Sequence, residues 1–102
     1  MQLSTAHQSV PRVEQFRLLA EGGRLQLLAL CAEEALSVSE LATLLADSQP
    51  QVSRRVAALR EAALLDARKD GTRLFVRTDV AAVEADPVLA AALAEGRRLC
   101  LA

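Results

Sequence analysis

The sequence predicts a mainly α-helical domain that carries one small β-hairpin, an α+β fold. Apolar residues recur every three or four positions through most of the chain, which is helical spacing. Between Leu65 and Arg77 the period changes to two, around an Asp70-Gly71 pair that favours a hairpin with a type I′ turn. The length of 102 residues and the hydrophobic content of 52% suit a single core.

Five helices are expected, four before the hairpin and one after it. The first begins at Pro11 and is expected to end at Gly22-Gly23. The next three are predicted over residues 24–34, 38–46 and about 48–63. The last begins at Asp86-Pro87. The third and fourth helices open with S-x-x-E and S-x-x-Q capping boxes, and one short turn joins them.

The fourth helix has one face for the core and one for solvent. Its apolar stripe is predicted to consist of Val52, Val56, Leu59 and Ala63, while Gln51 and Arg54 point away from that stripe. Two helices joined by a short turn, the second exposing Gln and Arg, form a helix-turn-helix arrangement. Arg reads guanine and Gln reads adenine in the DNA major groove, so the pattern predicts a binder of double-stranded DNA.

Charge is unevenly distributed along the chain. The net charge is −1, yet residues 49–78 contain seven basic and three acidic residues between two acidic flanks. Basic side chains near the hairpin tip are expected to hold phosphates. A solvated face with chance clustering remains the alternative to a DNA surface. The predicted DNA contacts are Ser48, Gln49, Gln51, Ser53, Arg54, Arg55, Arg68, Lys69 and Arg73.

Composition disfavours several other functions. The only aromatic residues are Phe16 and Phe75, which disfavours a stacking platform for single-stranded nucleic acid. His7 is the only histidine, so a histidine metal site or a Ser-His-Asp triad lacks its residues. No carboxylate pair suggests acid–base catalysis, and we do not expect an enzyme.

The apolar runs are too short for a membrane span, which needs about 20 residues. The polar first residues do not look like a signal peptide, so we expect a cytoplasmic protein. Residues 1–10 are predicted to be a flexible N-terminal arm, and residues 11–102 a domain for DNA binding and dimerisation.

The segment from Leu36 to Arg77 resembles the winged helix-turn-helix of ArsR/SmtB-type repressors. The motifs that carry the resemblance are S-Q-P-x-V-S-R from Ser48, L-R-E-A-x-L-x from Leu59, and D-G-T-R-x-F from Asp70. It implies a homodimeric bacterial repressor that binds a pseudo-palindromic operator. It also implies that the first and last helices form the dimer interface.

The chain departs from the pattern of this family at several positions. Ala46 and Asp47 stand where the family usually has a glycine and an apolar residue, and Ala63 replaces a glycine near the end of the fourth helix. Gly22-Gly23 replaces a more polar or proline-containing approach to the second helix. The negative charge of Asp47 near the DNA approach is expected to weaken affinity.

The metal sites of the family are missing their ligands here. Metal sensors open the third helix with Cys-x-Cys, where this chain has Ser37 and Ser39, and the last helix has no histidine. Hydroxyls are poor ligands for soft metals. We therefore predict no metal site and no cofactor.

A thiol switch at Cys31 and Cys100 is a second hypothesis, because a group in this family is similar in layout. The second-helix thiol of that group matches Ala29, and two residues turn a helix by about 200°. Cys31 is therefore expected to face the core. Two further alternatives stay open: a winged helix that binds proteins, and the DNA-binding portion of a longer chain, for example one fused to a methyltransferase.

Overall fold

A computed structural model describes residues 11–101, and the predicted arm with His7 lies outside the described residues. Within this range, six helices surround three short strands, which confirms the predicted fold class. In chain order the elements are α1 (Arg12–Leu19), α2 (Gly22–Glu33), β1 (Leu36–Ser37), α3 (Val38–Leu45), α4 (Gln49–Glu61), β2 (Leu65–Asp70), β3 (Arg73–Thr78), α5 (Val80–Glu84) and α6 (Pro87–Leu101).

The core is built around α2, which packs most extensively against α6 and also against β3. Leu27, Leu28 and Leu93 are almost completely buried between these elements. The two helices touch so closely that a Cβ on Gly96 would lie 2.1 Å from the Leu25 carbonyl oxygen. Between residues 11 and 101, no helix is both long and apolar enough to cross a membrane.

The hairpin belongs to a three-stranded antiparallel sheet in the order β1-β3-β2. The strand β1 was not predicted, because two residues are too few to show an alternating pattern. It pairs Leu36 with Val76, and this pairing fixes the start of α3 beside the hairpin. We call the hairpin of β2 and β3 the wing.

The predicted type I′ turn at the wing tip is wrong. Asp70 pairs with Arg73, so the loop consists of Gly71 and Thr72. A type I′ turn needs positive φ at both central residues. Gly71 has a φ of +68°, whereas Thr72 does not have a positive φ. Positive φ at the first central residue alone is the pattern of a type II′ turn.

Gly22-Gly23 begins the second helix and does not end the first. The helix α1 already ends at Leu19, and Glu21 precedes α2 with an extended backbone. Gly23 has a packing role: a Cβ at this position would lie 2.7 Å from the guanidinium carbon of Arg55.

The apolar stripe of α4 is confirmed at Val52, Val56 and Leu59, which are all buried. The prediction that Ala63 continues this stripe is wrong. The helix ends at Glu61, and Ala63 is exposed with a φ of 63°, while Ala62 fills the last core position. The short helix α5, which Asp79 caps, was also not predicted.

Candidate nucleic-acid interface

The helices α3 and α4 form a helix-turn-helix. The connection runs through Ala46, whose φ of 54° is left-handed and whose N–H bonds back to carbonyls of α3. The Ser37 side chain accepts a bond from the Glu40 N–H, and the Glu40 carboxylate accepts one from the Ser37 N–H. This complete capping box and the buried stripe of α4 fix both helices against the core.

The first turns of α4 present polar side chains to solvent. Ser48 caps the helix by accepting a hydrogen bond from the Gln51 N–H at 3.3 Å. The second half of the predicted capping box is not formed, because the Gln51 side chain bonds Arg54 instead. Ser48, Gln49, Ser53 and Arg54 are exposed, and Gln51 is half-buried.

Arg54 and Gln51 form a linked pair on the exposed face of α4. A guanidinium nitrogen of Arg54 donates to Gln51 Oε1 at 2.6 Å. One turn of helix separates the two residues, so the bond holds both side chains along the helix surface. The remaining guanidinium donors of Arg54 stay available to a ligand.

The wing carries the predicted basic residues. Arg68 and Lys69 are exposed on β2. Arg73 on β3 is exposed too, but it donates to Ser37 Oγ at 3.0 Å and lies over the Phe75 ring, 5.2 Å from its centre. Arg73 is therefore held against the start of α3, while the other two cations have no ion pair among residues 11–101.

A polar groove of about 390 Å³ separates the wing from the helix-turn-helix. It brings Gln49 and Ser53 of α4 together with Arg73 of the wing. Sequence reasoning did not assign Thr72 or Ser39 to this surface. The signal for Ser39 was its place in the first turn of the predicted third helix. The lining residues are Ser37, Val38, Ser39, Gln49, Ser53, Thr72, Arg73 and Leu74.

Arg55 does not join the predicted DNA contacts. Its side chain is only 14% exposed and lies between two carboxylates. It donates to Glu21 at 3.1 Å and, more closely, to Asp47. The bond from Arg55 lowers the pKa of the Asp47 carboxyl, and the same bond raises the pKa of Arg55. The structure therefore places Arg55 in an internal ion-pair group, and the Asp47 charge near the DNA approach has a cationic partner.

Comparison with known proteins gives the family. The family model HVO_A0114 matches residues 21–83, which include both helices of the helix-turn-helix and the whole wing. The chain belongs to the HVO_A0114 family. The match leaves out α1 and α6.

The relatives of this chain confirm the resemblance to ArsR/SmtB-type regulators. The chain is 43% identical to the HTH-type transcriptional regulator KmtR of Mycobacterium tuberculosis over 66% of its own length and 52% of that protein. It is also 43% identical to the arsenical resistance operon repressor of Escherichia coli, over 64% of its length and 56% of the repressor. The chain thus spans about half the length of these curated relatives.

A solved structure extends the likeness in fold to nearly the whole chain. It is the homodimeric winged helix-turn-helix DNA-binding domain of Mb0332 from Mycobacterium bovis, determined by solution NMR. The TM-score is 0.61 at 24% identity, with 96% of this chain and 89% of the other covered.

Ser37 and Ser39, which match the metal ligands of ArsR/SmtB-type sensors, use their hydroxyls in local hydrogen bonds. Ser37 Oγ is engaged by the Glu40 N–H and Arg73, and it lies 3.2 Å from Ser39 Oγ. Between residues 11 and 101, no three His, Cys, Asp or Glu side chains are grouped so that they could hold a metal ion.

The two thiols lie in different surroundings. Cys31 is completely buried, as expected, and burial raises its pKa to about 12. Cys100 is exposed, yet partial burial of its thiol raises its pKa as well, and the thiol lies 3.7 Å from the Gln26 carbonyl oxygen. Reactive thiols need a lowered pKa, so neither environment activates a cysteine.

The helices α1 and α6 leave an apolar surface uncovered. Val13 is 63% exposed and Phe16 54% exposed on α1. Phe16 also lines an open apolar groove of about 670 Å³ against Pro87, Val88 and Ala91 of α6. These are the two helices for which the resemblance implied a dimer interface.

Proposed function

We propose that this chain is a sequence-specific transcriptional regulator, a repressor that binds a pseudo-palindromic site in double-stranded DNA as a homodimer. One observation carries the proposal: α4 presents the exposed Arg54, bonded to the half-buried Gln51, in the same part of the fold as a basic wing. The chain as a whole is slightly acidic, so the concentration of cations in this part indicates a polyanionic partner.

The proposed contacts divide between the two parts of this surface. The exposed face of α4 enters the major groove, where Arg54 donates to guanine and Gln51 bonds adenine. Arg68 and Lys69 of the wing contact phosphates, which supply affinity and register. Gln49, Ser53 and Arg73 line the groove between the two parts, and the exposed Ser48 at the start of α4 completes the proposed interface.

The dimer is proposed to form through α1 and α6. Val13 and Phe16 are apolar and exposed, and Phe16 lines the groove beside α6, so the two helices offer an apolar surface that a second copy could cover. The homodimeric state of the Mb0332 domain, which has the same fold, supports a dimer, and the choice of α1 and α6 rests on their exposed apolar side chains. Residues 11–102 would then serve both DNA binding and dimerisation, with residues 1–10 as an arm.

We further propose that the chain is not an enzyme, acts in the cytoplasm where chromosomal DNA is present, and requires neither metal nor cofactor. The support is the chemistry of the surface. Its exposed groups are hydrogen-bond donors and acceptors, and the thiols have raised pKa values. A thiol switch at Cys100 remains a prediction without support from its surroundings.

The proposal is tested by selecting duplexes from a randomised library with the full chain. A selected duplex is then bound at several salt concentrations, beside an unrelated duplex of equal length. We expect enrichment of a two-fold symmetric sequence and affinity that falls steeply with salt. A chain that enriches no sequence and shows no salt dependence would instead be a winged helix that binds proteins.

A further inference from the structure

A group of three charged side chains joins three separate elements beside the helix-turn-helix. Arg55 lies on α4, Asp47 lies in the turn between α3 and α4, and Glu21 stands immediately before α2. The Arg55 guanidinium donates to both carboxylates, and Arg24 also approaches Glu21, with Nε 3.5 Å from Oε1. The two carboxylate side chains are about one third exposed, at 32% for Asp47 and 38% for Glu21.

The start of α2 is shaped to receive this guanidinium. A Cβ on Gly23 would lie 2.7 Å from the guanidinium carbon of Arg55 and 2.9 Å from two of its nitrogens. Gly22 has no such neighbour, because its nearest contact would be Leu99 Cδ1 at 3.8 Å. Only the second glycine therefore leaves room for Arg55.

Asp47 uses its two oxygens for different partners. Oδ1 accepts the Ser48 N–H at 2.8 Å, next to the first turn of α4. Oδ2 accepts Arg55, which reaches back to Glu21. The carboxylate therefore connects the beginning of α4 to the beginning of α2, the helix that packs on α6.

We propose that Arg55 is a positioning residue that ties α4, through Asp47 and Glu21, to the start of α2 and so sets the orientation of α4 relative to the α2–α6 pair. The inference rests on the proposed function, because orientation matters when two copies of α4 must meet successive major grooves about 34–36 Å apart. In this role Arg55 acts through its hydrogen bonds to the carboxylates of Asp47 and Glu21 and does not touch DNA.

The positioning role and simple electrostatics predict opposite changes in DNA affinity for the substitution Asp47→Asn. Removing a negative charge beside a DNA surface should strengthen binding to a polyanion. Asp47→Asn removes that charge and keeps the oxygen that accepts the Ser48 N–H. The oxygen that accepts Arg55 becomes an NH₂ group, which cannot accept. If Arg55 positions α4, Asp47→Asn weakens specific binding.

The experiment uses the full chain and a duplex that the wild type selects from a randomised library, with an unrelated duplex for non-specific binding. We expect Asp47→Asn to weaken affinity for the selected duplex by about tenfold, because a charged hydrogen bond is lost. Affinity for the unrelated duplex should stay the same or rise slightly, since one negative charge is lost and no phosphate contact is removed, and the slope of log Kd against log salt should stay unchanged. Asp70→Asn, at the wing tip, is the matched control and should not weaken binding.

Gly23→Ala tests the same tie without changing any charge. It should displace the guanidinium and weaken selected-duplex binding, though by less than Asp47→Asn because the end of a flexible side chain can shift at low cost, whereas Gly22→Ala should leave binding near the wild-type value. Circular dichroism and unrelated-duplex affinity identify any variant that fails to fold. Selected-duplex affinity equal to or tighter than wild type in both folded Asp47→Asn and folded Gly23→Ala overturns the positioning role alone. A wild-type chain that selects no duplex overturns the proposed function and this inference with it.

Discussion

Ala46 and Ala63 both adopt left-handed backbone conformations where a helix ends. They are positions at which the ArsR/SmtB resemblance led us to expect glycine. A Cβ in this conformation costs about 1–2 kcal/mol, because it approaches the following carbonyl oxygen. The chain therefore accepts local strain at two exposed alanines.

Ala63→Gly should increase the free energy of unfolding by about 1 kcal/mol. The strain that glycine relieves is larger than the free-energy cost of the extra entropy it gives the unfolded chain, which is about 0.4–1 kcal/mol. Ala57→Gly, on the exposed face of α4, is the control and should lose about 1 kcal/mol. Urea unfolding measures both changes. A loss of stability in Ala63→Gly would contradict the strain argument.

Arg54→Ala should be the most damaging single change for sequence-specific binding, at about 1–3 kcal/mol if the residue reads a base. The fold should be unaffected, because Arg54 is exposed and its described partner is Gln51. Arg60→Ala removes the same charge farther along α4 and should cost less. Fluorescence anisotropy on a selected duplex compares them. Wild-type affinity in a folded Arg54→Ala chain would remove this residue from the interface.

The elements differ in how far the sequence could predict them. The apolar stripe placed α4 and its exposed face, because a helix of 13 residues repeats its pattern several times. The two-residue β1 and five-residue α5 are too short to show a period. The low exposure of Arg55 was not predicted, although its spacing held a signal. It follows Val52 by three positions and precedes Leu59 by four, which puts it beside the buried face.

The pairing of charges across elements could not be predicted, because Glu21 and Arg55 are 34 positions apart. Nothing local in the sequence connects them. The wing shows the same limit: the alternating pattern predicted two strands, but the bond from Arg73 to Ser37 depends on how β1 docks. Most of the candidate DNA contacts were thus predictable as exposed side chains, with Gln51 and Arg55 the exceptions, and their internal partners were not predictable.

At the wing, replacing Arg68 and Lys69 by alanine should weaken binding to all duplexes alike. Each lost phosphate contact should flatten the slope of log Kd against log salt by about one unit. Arg73→Ala should weaken binding by more than the loss of one phosphate contact, because it also removes the hydrogen bond to Ser37 and the contact with Phe75. Titrations at several salt concentrations separate the two cases. Loss confined to one base position would mean that the wing reads sequence.

The surface of the molecule has a polar side and an apolar side. The polar side consists of α4 and the wing, and the apolar side consists of α1 and α6. The helix α2 lies between them, packed on α6 and linked to α4 through Glu21 and Arg55. Dimerisation on one side and DNA binding on the other would therefore be coupled through one central helix.

Phe16→Asp should convert the proposed dimer into a folded monomer. The side chain is 54% exposed in the single chain, so its loss should cost little core packing. Leu44→Asp is the matched control, since Leu44 is 59% exposed on α3. Sedimentation velocity should find wild type and Leu44→Asp as dimers and Phe16→Asp as a monomer. Equal sedimentation of all three proteins would place the interface elsewhere.

Two copies of α4 are proposed to lie in successive major grooves of one operator, and guanine methylation interference tests this arrangement. Methylation at N7 blocks the major-groove edge that Arg54 is proposed to bind. We expect interference at two symmetric sets of guanines in a selected duplex, with centres about 10–10.5 base pairs apart, or a multiple of that distance. Strong binding without interference at any guanine N7, or with a single asymmetric set, would show that two copies of α4 do not lie in successive major grooves.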